Sequence, residues 1–219
     1  MFMLVRKDIQ ANHWSIYVGT VFFLLLTYLI TLPPTIVYLL TSFAIIFSAF
    51  SYDDKVDANR YFLSMPIIKR NIVKSRYLYS ISIMIGTLLI QFIMMLITQF
   101  VFEVDLYVYS WYDILTLIGI GFLMIAVFTP ILYYFSSITN AMFSIFFLVG
   151  LLTIVMMGEL DKVLSFTDTI IFNDIDPGFS LIVEKYFPAP SYMIFIIFSG
   201  ILLYGSLLLS IYFFKRKDQ

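Results

Sequence analysis

The chain has 219 residues, of which 62% are hydrophobic and 12% are charged, and its formal net charge is -1 at pH 7. Soluble globular domains carry about 25% charged residues, so this composition excludes a water-soluble domain and predicts an integral membrane protein. The sequence has no Cys and a single His, which excludes disulfides, thiolate metal sites and His-rich metal centres.

The first 13 residues have the pattern of an amphipathic helix. Phe2, Val5 and Ile9 recur at helical spacing on one side. The other side carries the polar residues Arg6, Lys7, Asp8 and Gln10. This arrangement predicts a helix that lies in the headgroup plane before the first span, with its charges turned away from the lipid.

Long runs without charged residues predict six transmembrane helices. A span needs about 20 apolar residues. The uncharged run from Trp14 to Tyr52 therefore holds two helices, and Pro33-Pro34 is the break between them. The predicted spans are 14–32, 34–52, 77–102, 112–135, 141–158 and 191–213. We expect an all-α polytopic membrane protein that forms a single transmembrane domain over residues 1–219.

The basic residues predict the orientation of these spans. With six spans, both termini and residues 53–76 lie on the same side of the membrane. That side holds eleven of the 13 Lys and Arg residues, and only Lys162 and Lys185 lie on the other. Basic residues concentrate on the cytoplasmic side, so both termini and the 53–76 loop are expected in the cytoplasm, with 159–190 as an extracellular segment.

The sequence lacks the motifs of several enzyme classes. There is no GxxxxGK[ST] phosphate-binding loop, no GxSxG and no HExxH, so we expect no catalytic, metal or cofactor site in this chain. The uncharged runs also lack the ionisable groups that ion-coupled transport needs at membrane depth. Gln91 and Gln99 are the strongest polar side chains within a span and share one helix face. They either line a translocation path or bond across to a neighbouring helix.

The cytoplasmic loop reads as a short amphipathic helix. Ser51, Asp53 or Asp54 can cap it, an apolar stripe continues to Met65, and Pro66 ends it. The basic residues Lys69, Arg70, Lys74 and Arg76 would then sit at headgroup level as the chain enters the third span. Such a helix, held between two spans, fits the groove of a partner protein. The alternative is a solvated basic loop that only determines topology.

In this loop the chain resembles the permease subunits of ABC-2 type (type V) ABC transporters. The resemblance rests on Phe50-Ser51-Tyr52-Asp53-Asp54-Lys55, Tyr61-Phe62-Leu63-Ser64-Met65-Pro66-Ile67 and the basic stretch from Lys69 to Leu78. These match the acidic start, the turn ending in proline and the basic entry to the third span in that family. Two departures are Met65, where Leu is commoner, and Arg76, where the family usually has Lys.

The resemblance implies a coupling helix in this loop that docks on a separate ABC ATPase subunit, which binds ATP and Mg. The residues it assigns to coupling are Asp53, Asp54, Asp57, Ala58, Arg60, Tyr61, Phe62, Leu63, Met65 and Pro66. It also implies an amphipathic connecting helix at residues 1–13, short re-entrant helices in 159–190, and a second permease chain, identical or different. The chain is most similar to small Gram-positive permeases, such as exporters of phenol-soluble modulins, which are short amphipathic peptides.

These expectations lead to one main functional hypothesis and two alternatives. The main hypothesis is an ATP-driven exporter subunit, in the bacterial plasma membrane, for an amphipathic peptide or lipid-like compound. One alternative is the substrate-capturing subunit of an importer, although the AxxxA signature of such subunits is absent from Trp14–Leu32, which has no Ala. The other is a membrane scaffold or immunity protein without transport activity. None of these hypotheses involves a nucleic-acid partner.

Overall fold

The structure, a computed structural model, describes residues 2–29, 34–55, 69–102, 109–135, 137–164, 175–187 and 190–216. Within these ranges the chain is helical and contains no strand. The helices in chain order are α1 (Phe2–Ala11), α2 (Trp14–Leu29), α3 (Pro34–Lys55), α4 (Lys69–Phe102), α5 (Trp111–Tyr134), α6 (Ile138–Leu164), α7 (Ile175–Tyr186) and α8 (Ser191–Arg216). The all-α prediction is therefore confirmed for the described residues.

Four of the described helices are long and apolar enough to cross a membrane: α3, α4, α5 and α8. Two shorter apolar stretches, Trp14–Leu24 of α2 and Ile138–Leu152 of α6, lie among them. The helix α4 begins at Lys69, eight residues before the predicted span 77–102, and α6 continues past the predicted 158 to Leu164. Helical structure can extend beyond the apolar run, because the backbone hydrogen bonds of a helix do not require apolar side chains.

Local chemistry explains where several helices begin and end. Pro34 opens α3, a position where its missing N–H would have had no intrahelical partner. Ser110 caps α5 through a capping box. The Asp113 backbone N–H donates to Ser110 Oγ at 3.3 Å, and the Ser110 N–H donates to Asp113 Oδ2 at 2.8 Å. Asp113 thus belongs to the first turn of α5.

The core of the bundle lies where α4 and α8 meet α3 and α5. Its largest fully buried side chains include Tyr38, Met84, Met95 and Ile125. The helices α5 and α8 pack most closely, because Gly119 leaves room for the ring of Phe195. A second close approach is at Gly121, which faces Met84 and the hydroxyl of Tyr38.

Contacts between helix ends place α1 and the ends of α3, α5 and α8 at one end of the bundle, and Arg76 near the start of α4 pairs with Asp53 there. Lys7 of α1 is paired with Asp53 near the end of α3. The ring of Phe50 lies 5.5 Å from that of Tyr133 near the end of α5, and Tyr133 lies 5.5 Å from Phe214 near the end of α8. We call this the loop end, because α3 stops there and α4 starts there, on either side of residues 56–68.

The close approach at Gly121 generates a test of the packing. A Cβ at Gly121 would collide with Met84 and lie 2.8 Å from the Tyr38 hydroxyl, and both side chains are fully buried. We expect Gly121→Ala to lower the free energy of unfolding by about 1–3 kcal/mol through overpacking. The measurement is thermal unfolding in detergent. Gly86→Ala is the control, because a Cβ there meets nothing within 4 Å. Equal unfolding temperatures for both variants would contradict this packing.

Candidate functional site

Four charged side chains from three helices form a closed ring at the loop end. Lys7 Nζ lies 2.9 Å from Asp53 Oδ1 and 3.2 Å from Asp8 Oδ1. Arg76 Nη1 lies 3.2 Å from Asp8 Oδ1, and Arg76 Nη2 donates to Asp53 Oδ2. Each base thus contacts both acids, and each acid contacts both bases. We call Lys7, Asp8, Asp53 and Arg76 the four-charge cluster.

The cluster is buried except at one member. Asp8, Arg76 and Asp53 are 3%, 4% and 7% exposed, whereas the Lys7 side chain is about one-third exposed. Removing a charge from water costs several kcal/mol, and only close opposite charges offset that cost. Arg76 gains further stabilisation from Phe50, since its guanidinium carbon lies 4.7 Å from the ring centroid. Burial raises the pKa of the Asp8 carboxyl, and Arg76 and Lys7 offset this effect only in part.

The end of α1 is held by a second set of polar contacts. Asn12 Nδ2 donates to the carbonyl of Ile45 at 3.1 Å and to the hydroxyl of Tyr79 at 2.7 Å. The hydroxyl of Ser48 donates to Asn12 Oδ1 at 2.5 Å. The Asn12 amide therefore links the turn between α1 and α2 to both α3 and α4. Its partners on these helices lie further from the 56–68 loop than Asp53 and Arg76 do.

These contacts correct one expectation about the charged residues. Asp8 was expected on the outer polar side of the N-terminal helix, but it is buried against Arg76, which is buried as well. Each side chain supplies the opposite charge that the other needs away from water. The exposed side of α1 instead carries Met3, Arg6, Ile9 and Gln10. The expected level of Arg76 at the headgroups stays a prediction.

The candidate coupling residues divide into two groups. Asp53 and Asp54 lie in the last turn of α3, where the Asp53 carboxylate pairs within the chain and Asp54 is exposed. The other candidates lie outside the described residues: Asp57, Ala58, Arg60, Tyr61, Phe62, Leu63, Met65 and Pro66. Their role stays a prediction. The described part of the loop therefore contributes its two stems, which Asp53 and Arg76 join.

The two glutamines both lie on α4. Gln91 is fully buried within this chain, a setting that favours helix packing over exposure to a path. Gln99 lies in the last turn of the same helix, and its side chain falls outside the described residues.

Reasoning from the sequence missed Lys7, Asp8, Asn12 and Arg76 as members of one site. Local spacing carries no information about them, since Lys7 and Asp53 are 46 positions apart. Two features of the sequence hint at buried charge. Asp8 is an acid on an otherwise basic N-terminal helix, and Arg76 directly precedes an uncharged span. Neither pattern specifies a partner.

Several apolar helices long enough to span a membrane define a multi-pass membrane protein. Its loop end is basic and carries the buried ion pairs of the four-charge cluster. A place in the bacterial plasma membrane fits this architecture. A family model described as "ABC-2 family transporter protein" matches residues 2–215, so the chain belongs to the ABC-2 transporter family. The chain is accordingly a permease, the transmembrane component of an ABC transporter, which is not itself catalytic and works with an ABC ATPase. No curated protein and no solved structure gives a significant match.

The energetics of the cluster can be tested by removing Arg76. Arg76→Met leaves two buried carboxylates facing one partly exposed Lys, so we expect the free energy of unfolding to fall by about 3–5 kcal/mol. Arg70→Met is the matched control. Arg70 lies on the same helix and is exposed, so its removal should change stability by less than about 0.5 kcal/mol. Thermal unfolding of the purified protein measures both, and an unchanged Arg76→Met variant would refute the assigned pairing.

Proposed function

We propose that this permease exports an amphipathic peptide or a lipid-like compound, and that a separate ATPase subunit drives it by gripping the 53–76 loop. The observation that carries this proposal is the family match, which spans the loop and all the helices around it. The structure adds a physical reason. The loop stems, α1 and the ends of α5 and α8 converge at one end, so a force applied there reaches most of the bundle.

The proposed topology has six spans, with α2 and α6 added to the four long apolar helices. The loop end carries the basic residues Arg6, Lys7, Lys55, Lys69, Arg70, Lys74, Arg76, Lys215 and Arg216. Positive charge concentrates in the cytoplasm, so this end faces the cytoplasm in the proposal. The opposite end, where Tyr112 and Tyr192 lie with ring centroids 4.8 Å apart, faces outwards. Exposed Trp14 and Trp111, at the starts of α2 and α5, suit the two headgroup levels.

The proposed coupling surface begins where α3 ends. Asp54 and Tyr52 are exposed there, and the chain then continues into the rest of the 53–76 loop, which holds the other predicted coupling residues up to Pro66. ATP and Mg bind to the partner ATPase in this scheme, and the permease contributes a surface for docking. This division of labour follows from the lack of a phosphate-binding loop in the chain.

The nature of the helices supports the proposed class of cargo. Their exposed side chains are large and apolar, for example Phe143 and Phe147 on α6 and Ile201 and Tyr204 on α8. Ions and sugars need fixed polar groups along their path, whereas amphipathic molecules can move against apolar walls. We propose that two permease chains pair and enclose the path between them, with lipid covering the remaining apolar surface.

Isolation of the intact complex tests the proposed function. The permease is extracted from its native membrane in mild detergent, and the co-eluting proteins are identified. We expect an ABC-type ATP hydrolase in equal amount. If no nucleotide hydrolase co-elutes, the chain acts as a scaffold and the proposal fails. If the lone chain tightly holds a vitamin-sized ligand, the importer alternative replaces export.

The coupling surface can be tested by substitution within the loop. We expect Phe62→Asp to abolish docking, because a carboxylate replaces an aromatic side chain at a proposed protein interface. Insertion into the membrane should be unchanged. Co-purification of the ATPase measures docking, and Phe62→Leu, which retains an apolar side chain, is the matched control. Retention of the ATPase by Phe62→Asp would show that this residue lies outside the docking surface.

A further inference from the structure

We propose that the four-charge cluster is a joint that makes α1 and the base of the 56–68 loop move as one body during the transport cycle. This inference rests on the proposed function, because it concerns how motion of the loop spreads through the permease. Lys7, Asp8, Asp53 and Arg76 are thus positioning residues that act through the loop.

The geometry of the cluster supports a joint. Asp53 and Arg76 are 23 positions apart in sequence, yet they meet directly and close the two stems of the loop. From α1, Lys7 pairs with Asp53 and Asp8 pairs with Arg76, and Lys7 and Asp8 also pair with each other. Because α1 binds both stems and not one alone, α1 cannot follow one stem while the other moves without breaking at least one buried ion pair.

The described side chains of α1 make polar contacts with the bundle as well as apolar ones. Leu4 is a partly buried residue of α1 that packs against the core, whereas Met3 is 88% exposed and Ile9 is also exposed. The polar contacts run through the cluster and, just past the end of the helix, through Asn12. The ion pairs restrict the position of α1, since hydrophobic contact is tolerant of sliding and a close pair of opposite charges is not.

Charge also explains why this contact is specific. A buried ion pair is rarely more stable than a well-packed apolar replacement, so its usual value is to select one arrangement over others. In the cluster each charge has two opposite neighbours. A shift of α1 by one residue would put either Lys7 in the place of Asp8, beside Arg76, or Asp8 in the place of Lys7, beside Asp53. Such a shift would set like charges against each other, and the joint therefore holds α1 in one register.

Distance measurements between spin labels test the joint directly. The chain has no native Cys, so two introduced Cys residues give selective labelling. Gln10→Cys labels the exposed side of α1, and Lys55→Cys labels the exposed end of α3. In the complex with its ATPase, we expect one narrow distance distribution that is the same with and without ATP. A nucleotide-dependent distance in the otherwise unaltered protein would overturn the proposal.

The key variant is Lys7→Met, because Lys7 is the partly exposed member of the cluster and its loss leaves Arg76 in place. We expect the preference of α1 for its single position over shifted positions to fall by roughly tenfold. The distribution of distances between the labels should then become about twice as wide and should shift when ATP is added. Lys7→Arg should restore the narrow distribution. Arg6→Met removes a neighbouring exposed charge and should have no effect. A narrow, ATP-independent distribution in Lys7→Met would refute the joint.

A second variant covers the case in which Lys7→Met fails to fold. Neutralising all four positions, with Lys7→Met, Asp8→Asn, Asp53→Asn and Arg76→Met, removes the penalty of unpaired charge and should preserve folding. We expect a wide distribution here too, and a narrow one would count against the proposal. If no ATPase co-elutes, the proposed function fails. The joint is then still tested in the lone chain, by comparing the width of the distance distribution in Lys7→Met with that in Lys7→Arg.

Discussion

The loop end of this protein depends on the mutual neutralisation of four charges in a surrounding that is otherwise apolar. Arg76 is almost fully buried, and only the two carboxylates of Asp8 and Asp53 make that burial tolerable. Because these acids belong to α1 and α3, the requirement for neutrality brings three helices together. The N-terminal helix therefore packs against the start of α4 and the end of α3 and is more than a segment resting on the lipid.

The helices themselves could be predicted well from the sequence, because the thickness of a bilayer requires long apolar runs and such runs are unmistakable. The break at Pro34 and the start of α5 one residue before the predicted 112 follow from local chemistry that the sequence displays. Hydropathy alone does not give the length of α4, although Ile68, Ile72 and Tyr79 fall on one helix face and predict helix before the apolar run. Its first turns carry Lys69, Arg70, Lys74 and Arg76, which look like a loop when hydropathy is the only criterion.

The candidate site was predictable only in part, for a different physical reason. Asp53 was selected as an acid near a helix end, but its partners lie on other helices, and pairing between distant segments leaves no local pattern. Lys7 and Asp8 were assigned to the polar side of an amphipathic helix because periodicity treats every charge as solvent-seeking. That rule fails where two opposite charges can be buried together, which is the case at Asp8 and Arg76.

The hydroxyl of Tyr77, one position after Arg76, lies 2.6 Å and 2.8 Å from the hydroxyl oxygens of Ser206 and Ser210 on α8. This hydrogen-bonded contact fastens α4 to α8 at the same level as the joint fastens α4 to α1. The helix α8 in turn packs closely on α5 at Gly119, so these three helices are linked in series. In the proposed transport cycle, a tilt of α4 at the loop end would carry α5 and α8 with it as a pair, and a small displacement at this end would become a larger one at the far ends of these helices.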